Sequence, residues 1–235
     1  MRGKGIFTRL FYANFGRPGN ALYNNETNAK LMIPFTSKIS EWSAYHYHET
    51  RVSGFGPFFG GILILSFLLG VWMVYHLKES RVVLILALLA IISISLISKH
   101  FWWPRFVPHM WFLPILPICI SLWLPATKGR TVFTYILVIL MTLNGLIVLF
   151  VHMEWETRST IHLYKQLSEL KQKEKPVEIN YGYFEKATEE KLRKWGIKYT
   201  LVPRDKILKE NYQELTSVVE GYPDAILFHE IDDKK

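Results

Sequence analysis

A single cysteine, Cys119, occurs in 235 residues, which excludes an intrachain disulfide and argues against a thiolate metal site. Aspartate is absent before Asp205, and the only acids ahead of Glu154 are Glu26, Glu41, Glu49 and Glu79. The first two-thirds of the chain therefore offers few carboxylates for general acid–base chemistry. The N-terminus, MRGKGIFTRLF, is basic but has no apolar stretch behind it, so it does not read as a cleavable signal peptide. After Met153 there is no GxGxxG, no phosphate-binding loop and no nucleophile elbow, and no catalysis is assigned to that part. The chain has neither internal repeats nor low-complexity segments.

Charge of either sign is also missing from four long runs, and this absence decides the class. Half of the residues are apolar and the mean hydropathy is +0.12, values a soluble domain could share. The distribution is what a bilayer demands and water does not. The first run, VSGFGPFFGGILILSFLLGVWMVYHL, lies between Arg51 and Lys78, and its Gly-rich opening allows a turn and a close helix approach. The second is Val82–Ser98. The third follows KHFWWPRFVPHMW and continues through WFLPILPICISLWLPA, and its Pro108, Pro114 and Pro117 predict an irregular start or packing against other protein. The fourth is Thr131–Met153, with Asn144 as its one strongly polar member.

The expected fold class is an α-helical integral membrane protein of about four transmembrane helices with a small C-terminal soluble α/β domain. Residues 1–55 form a loop-rich extramembrane segment with one short interfacial helix near Ser40–Tyr47, residues 56–153 the transmembrane region, and residues 154–235 the soluble domain. In that domain an amphipathic helix over 154–173, with Ile161, Leu163, Leu167 and Leu170 apolar, continues from the fourth span. A strand at Val177–Tyr183, a helix ending at a Gly196 cap, a strand at Lys198–Val202, a helix over Lys206–Glu220 and a strand at Ala225–Ile231 predict a mostly parallel β-α-β-α-β unit. Tyr181, Tyr183 and Trp195 read as core and rim, or as a face for a sugar.

From Met1 to Met153 there are 13 Lys/Arg against 4 Glu, and from Glu154 onward 15 against 16 acids. A basic membrane-proximal half suits anionic headgroups. Nucleic acid is excluded as a partner, because these cations sit between apolar runs. Four spans put both termini on one side. Lys78, Arg81, Lys128 and Arg130 flank one side, and Arg51, Lys99, Arg105 and Arg158 the other. The two short basic connections favour the cytoplasm for the first set, which leaves the C-terminal domain extracytoplasmic.

The segment KHFWWPRFVPHMW concentrates Lys99, His100, Phe101, Trp102, Trp103, Arg105, His109 and Trp111 at a membrane boundary. An aromatic belt with snorkelling cations is the commoner meaning of such a cluster. The sharper reading is a lipid-phosphate site. Arg105 would offer a forked donor, Lys99 and His109 would assist, and Trp102 and Trp103 would flank an isoprenoid or acyl chain. His46, His48 and Glu49 read as surface polar residues, since no distant third ligand accompanies them, and no metal or cofactor is expected. Asn144 reads as an interhelical hydrogen bond in preference to a substrate contact.

PRFVPHMWFLPILP resembles the Arg-aromatic-x-x-Pro…Pro pattern of late helices in polytopic GT-C-type glycosyltransferases, and RVSGFGPFFGGILIL is similar to the start of a late transmembrane helix in bacterial members. The likeness covers roughly residues 35–155. It implies a place in the bacterial inner membrane and transfer of sugar from a polyprenyl-phosphate-linked donor during cell-envelope glycan assembly, with Arg105 on the donor phosphate. The family's acidic residue in the first outer loop has no counterpart here. The resemblance therefore implies the C-terminal portion of such an enzyme, inactive alone and with no catalytic residue assigned. The alternative is a non-enzymatic membrane protein whose soluble domain binds a partner. A transporter ranks last, because the spans hold little besides Asn144 at mid-depth.

Overall fold

A computed structural model describes residues 5–20, 30–46, 50–77, 81–97, 107–173, 175–180, 185–207, 212–215 and 226–230. The chain is mostly helical and divides into two compact units, Met1–Met153 and Glu154–Lys235.

The charge-free runs of the first unit become helices. Helix α1 (Ile6–Phe15) leads to β1 (Gly19–Asn20), which pairs antiparallel with β2 (Thr50–Val52). Between them lie α2 (Ile39–Trp42) and a 3-10 turn over Ser43–His46, close to the short helix expected near Ser40–Tyr47. Then come α3 (Phe59–His76), α4 (Arg81–Ile97), α5 (Phe112–Trp123) and α6 (Lys128–Lys173), the last continuing past Met153 as the sequence suggests. Two of these, α3 and α6, are long and apolar enough to cross a membrane, with window hydropathies of 1.8 and 2.4. The other two apolar elements, α4 and Pro108–Trp123, are shorter.

Proline shapes α5 as its chemistry requires. Pro108 opens a 3-10 turn, Pro108–Trp111, so the element starts irregularly. Pro117 sits inside α5, where its ring removes a backbone donor. Gly70 of α3 faces that ring at 3.8 Å from where a Cβ would stand, which lets α3 and α5 pack closely. Within the helices the core is Ile62, Leu69, Met73, Leu84, Ile118 and Leu137. A second core, Ala13, Val52, Phe55, Phe59, Val107 and Met110, lies at the N-terminal end of α3.

Residues 1–55 also carry α1, whose buried residues are the small Ala13 and Asn14, so no large apolar period announces it. Gly60 explains how it docks, since a Cβ there would stand 2.6 Å from the Asn14 carbonyl oxygen; one on Gly61 would stand 2.2 Å from the Phe35 ring of the segment that follows. Only glycine admits such approaches.

In the second unit β3 (Val177–Asn180), α7 (Glu185–Trp195) and β4 (Tyr199–Leu201) form the expected parallel pair. Gly196, at φ +68°, ends α7, and Ile197 N–H returns to the Leu192 carbonyl at 3.0 Å. The remainder departs from expectation. Among the described residues, α8 (Arg204–Ile207) and β5 (Gln213–Leu215) stand where one long helix over 206–220 was predicted. Strand β6 (Ile226–Glu230) runs antiparallel to both β3 and β5, giving the order β4-β3-β6-β5. The sheet is mixed, not mostly parallel; the ten residues between β5 and β6 are fewer than a parallel crossover needs, and those two strands pair antiparallel. Leu167, Leu170, Val177, Ile179, Leu192 and Phe228 are core, whereas Ile161, expected on the apolar stripe, is exposed.

Candidate functional site

The turn joining β2 to α3 adopts a conformation that needs support. Ser53 and Gly56 both take positive φ, +54° and +115°. The support comes from Asn144, 88 residues beyond Gly56 and fully buried on α6. Its Nδ2 donates to the Phe55 carbonyl at 2.9 Å, and its Oδ1 accepts from Phe58 N–H at 2.8 Å. A Cβ on Gly56 would stand 2.5 Å from both terminal atoms of that amide. Asn144 thus satisfies two backbone groups that the turn leaves unpaired. It is a structural clamp on a backbone turn, as its polarity within an apolar run suggests.

The clamp fixes an aromatic cluster. Phe55 stacks on Phe59 with centroids 4.5 Å apart, and Trp111 meets Phe59 edge-on at 4.9 Å. Beside the cluster opens a cleft of about 360 Å³ lined by Gly54, Phe55, Pro108, Trp111, Gly145, Val148, Leu149 and His152. Among the described residues, its walls are apolar apart from one titratable group. His152 Nδ1 lies 3.1 Å from the His46 carbonyl oxygen. A carbonyl only accepts, so Nδ1 carries the proton and Nε2 of the neutral ring is an acceptor. A Cβ on Gly145 would meet nothing within 4 Å. The cleft is therefore open where a larger residue would fill it.

Of the residues singled out for lipid phosphate, Lys99, Trp102, Trp103 and Arg105 lie outside the described residues. His109 is half-buried, and its Nε2 is 2.8 Å from Ser95 Oγ on α4. Ser95 Oγ also lies 2.8 Å from the Ile91 carbonyl oxygen and 3.0 Å from the Met110 sulfur. When the hydroxyl proton goes to Ile91, His109 Nε2 donates to Ser95 Oγ. His109 is not on the cleft wall; its neighbours Pro108 and Trp111 are.

Two further features escaped the sequence. Arg130 donates to the Leu124 carbonyl at 2.9 Å and to that of Pro125, and its guanidinium lies 5.6 Å from the Trp72 ring centroid. Trp72 in turn stacks on His76 at 4.0 Å. This latch ties off the carboxyl end of α5, and the one signal for it was a cation shortly after Pro125. At the other end, Glu41 pairs with Arg17 and accepts from Lys38 N–H at 3.1 Å. Burial of the Tyr45 phenol pushes its pKa up, and the Glu41 charge adds to the shift. Burial, opposed by the Ser43 carbonyl and reinforced by His152, holds His46 below the usual imidazole range. Among the described residues before Glu154, Glu41 is the one carboxylate, and it is committed to this cap. No group of three His, Cys, Asp or Glu among the described residues is arranged to hold a metal.

No family model, curated protein or solved structure matches this chain.

Proposed function

We propose that the chain is a multi-pass membrane protein that binds a lipid-linked phosphate, as the late helices of a GT-C-like glycosyltransferase would. The observation that carries the reading is the apolar cleft beside Trp111, with a histidine as the one titratable group among the described residues that line it. A prenyl or acyl chain lies against Phe55, Val148 and Leu149. Lys99 and Arg105, which precede the cleft-wall residue Pro108 in the sequence, supply the cations for the phosphate. Arginine and lysine are suited to phosphate oxygens, and apolar walls to a hydrocarbon chain.

All four apolar helices lie in the bilayer under this proposal. Helix α4 has 17 residues, about 25 Å at 1.5 Å per residue, which is the short limit for a tilted or thin-membrane span. Support comes from faces that water would not tolerate: Val83 and Leu86 of α4 and Phe150 of α6 are all at least 60% exposed. The basic connections Lys78–Arg81 and Lys128–Arg130 face the cytoplasm of a bacterial inner membrane, so the cleft opens toward the outer leaflet. The alternative is a non-enzymatic protein with a partner-binding C-terminal unit. It draws on the commitment of Glu41, the one carboxylate described before Glu154, to Arg17.

The test is binding of a polyprenyl phosphate to the full chain in nanodiscs, measured by native mass spectrometry. Wild type is expected to retain the phosphate over the matching polyprenol by at least about tenfold, the scale of a charge-assisted contact. Gly145→Trp, which fills the cleft, is expected to abolish that preference. Equal retention of phosphate and alcohol, unchanged in Gly145→Trp, would contradict the proposal.

A further inference from the structure

The N-terminal end of α3 carries an apolar surface that no span accounts for. Phe7 and Phe11 stand one turn apart on the outer face of α1, 78% and 51% exposed, and Phe11 continues into Phe15 at 5.0 Å. The segment after α1 returns to it: Arg17 N–H donates to the Lys30 carbonyl and Met32 N–H to the Phe15 carbonyl, both at 2.8 Å. This return places Leu31, Ile33 and Ile39, all exposed, on the same assembly. Gly60 and Gly61 seat the assembly on the first turn of α3, through Asn14 and Phe35. A patch of aromatic and branched side chains is thereby fixed at the level where an apolar helix begins.

Its charge specifies the occupant. Residues 1–46 contain six Lys/Arg against two Glu, and of the described cations Lys30 and Lys38 are exposed beside the apolar residues. Apolar side chains interleaved with cations, at the end of a hydrophobic helix, match the headgroup layer of an anionic bilayer. We propose that α1 and residues 31–39 lie in the anionic headgroup–acyl boundary of the same membrane that α3 crosses, with Phe7, Phe11, Ile33 and Ile39 inserted. The inference rests on the apolar helices lying in a bilayer, but not on what the cleft binds. The docked α1 then braces the mouth of α3 through the Gly60–Gly61 contact and holds the Asn144-clamped turn at the membrane surface.

The experiment uses the full chain in nanodiscs, with Cys119→Ser as background and a polarity-sensitive fluorophore on Phe11→Cys or Ile33→Cys. A probe on Ile139→Cys, on the exposed face of α6, reports independently whether the spans are in lipid. Both patch probes are expected to be blue-shifted and shielded from iodide. They are also expected to be quenched more strongly by lipids doxyl-labelled near the headgroup than near the chain end. Replacing anionic by zwitterionic lipid, or introducing Lys30→Gln with Lys38→Gln, is expected to shift the inserted population toward water by about fivefold per cation lost at low salt. Iodide quenching without doxyl quenching would overturn the proposal. So would shielding from both quenchers, which means protein covers the patch, or insertion indifferent to lipid charge. An Ile139 probe untouched by chain-end doxyl would instead overturn the membrane reading itself.

Discussion

Replacing Asn144 by alanine removes both ends of the clamp at once. The Phe55 carbonyl and the Phe58 N–H lose partners at 2.9 and 2.8 Å in a site where Asn144 itself is fully buried. Hydrogen bonds between buried groups in membrane proteins contribute about 0.6–1.7 kcal/mol each. Leaving a buried backbone group without a partner costs about 1–3 kcal/mol. Part of that second cost is offset when the turn relaxes toward the cleft and recruits water, so Asn144→Ala is expected to cost about 2–4 kcal/mol. Gly56→Ala tests the same contact from the other side, since its new methyl would stand 2.5 Å from the Asn144 amide at φ +115°. Shortening Asn144 removes the clash but not the backbone strain. The double variant should therefore cost less than the sum of the two singles by about 1 kcal/mol or more. Reversible unfolding in mixed micelles, followed by tryptophan fluorescence, measures all three. A loss below about 0.5 kcal/mol for Asn144→Ala, or strict additivity in the pair, would refute the clamp.

Other expectations follow from the same packing. His46, outside the apolar helices, is held below the usual imidazole range chiefly by burial. Above the unfolded value of about 6.5 both states are neutral there and the group has no effect. As pH falls through that value the unfolded chain takes the proton first, so native stability is expected to drop, and His46→Gln should flatten the decline in unfolding midpoints between pH 8 and 5. Gly61→Ala is expected to expel Phe35 from the first turn of α3, since the added carbon would stand 2.2 Å from that ring. Faster proteolysis within residues 30–46 would register it, and an unchanged digestion pattern would argue against the contact. In the second unit, Ile179→Ala empties a site 1% exposed and should destabilise that unit by about 2–5 kcal/mol, seen as lost amide protection in β3 and β6 while α3 and α5 keep theirs.

The parts of the fold legible in the sequence are those fixed by local composition. Charge-free runs become α3 to α6, Pro108 gives the predicted irregular start, and Gly196 takes the predicted left-handed cap. Within the described residues, two of the four runs form helices of 17 residues or fewer. Where contacts distant in sequence decide, periodicity is silent. Helix α1 buries Ala13 and Asn14 and turns Phe7 and Phe11 outward, the reverse of the usual pattern. Residues 206–220 read as helix from their polar spacing, yet Gln213–Leu215 pair with β6, an interaction only the sheet can supply. The candidate site is divided in the same way. A lone asparagine in an apolar run signals a hydrogen bond, but its partners are backbone atoms, which carry no sequence mark. The cleft joins Gly54 to His152, almost a hundred residues apart in the chain, so no local motif could announce it. Of the five side chains predicted to hold the lipid, His109 alone falls among the described residues, and it meets Ser95.

The most direct test of lipid-phosphate binding at the cleft is photo-crosslinking with a polyprenyl phosphate bearing a diazirine on its first isoprene unit. The label should be incorporated into full-length protein in nanodiscs and mapped by peptide mass spectrometry. Adducts concentrated on residues 108–111 and 145–152, competed by unlabelled polyprenyl phosphate and lost in Gly145→Trp, are the predicted result. Adducts spread evenly over the exposed faces of α4 and α6, with no competition and no effect of Gly145→Trp, would contradict it.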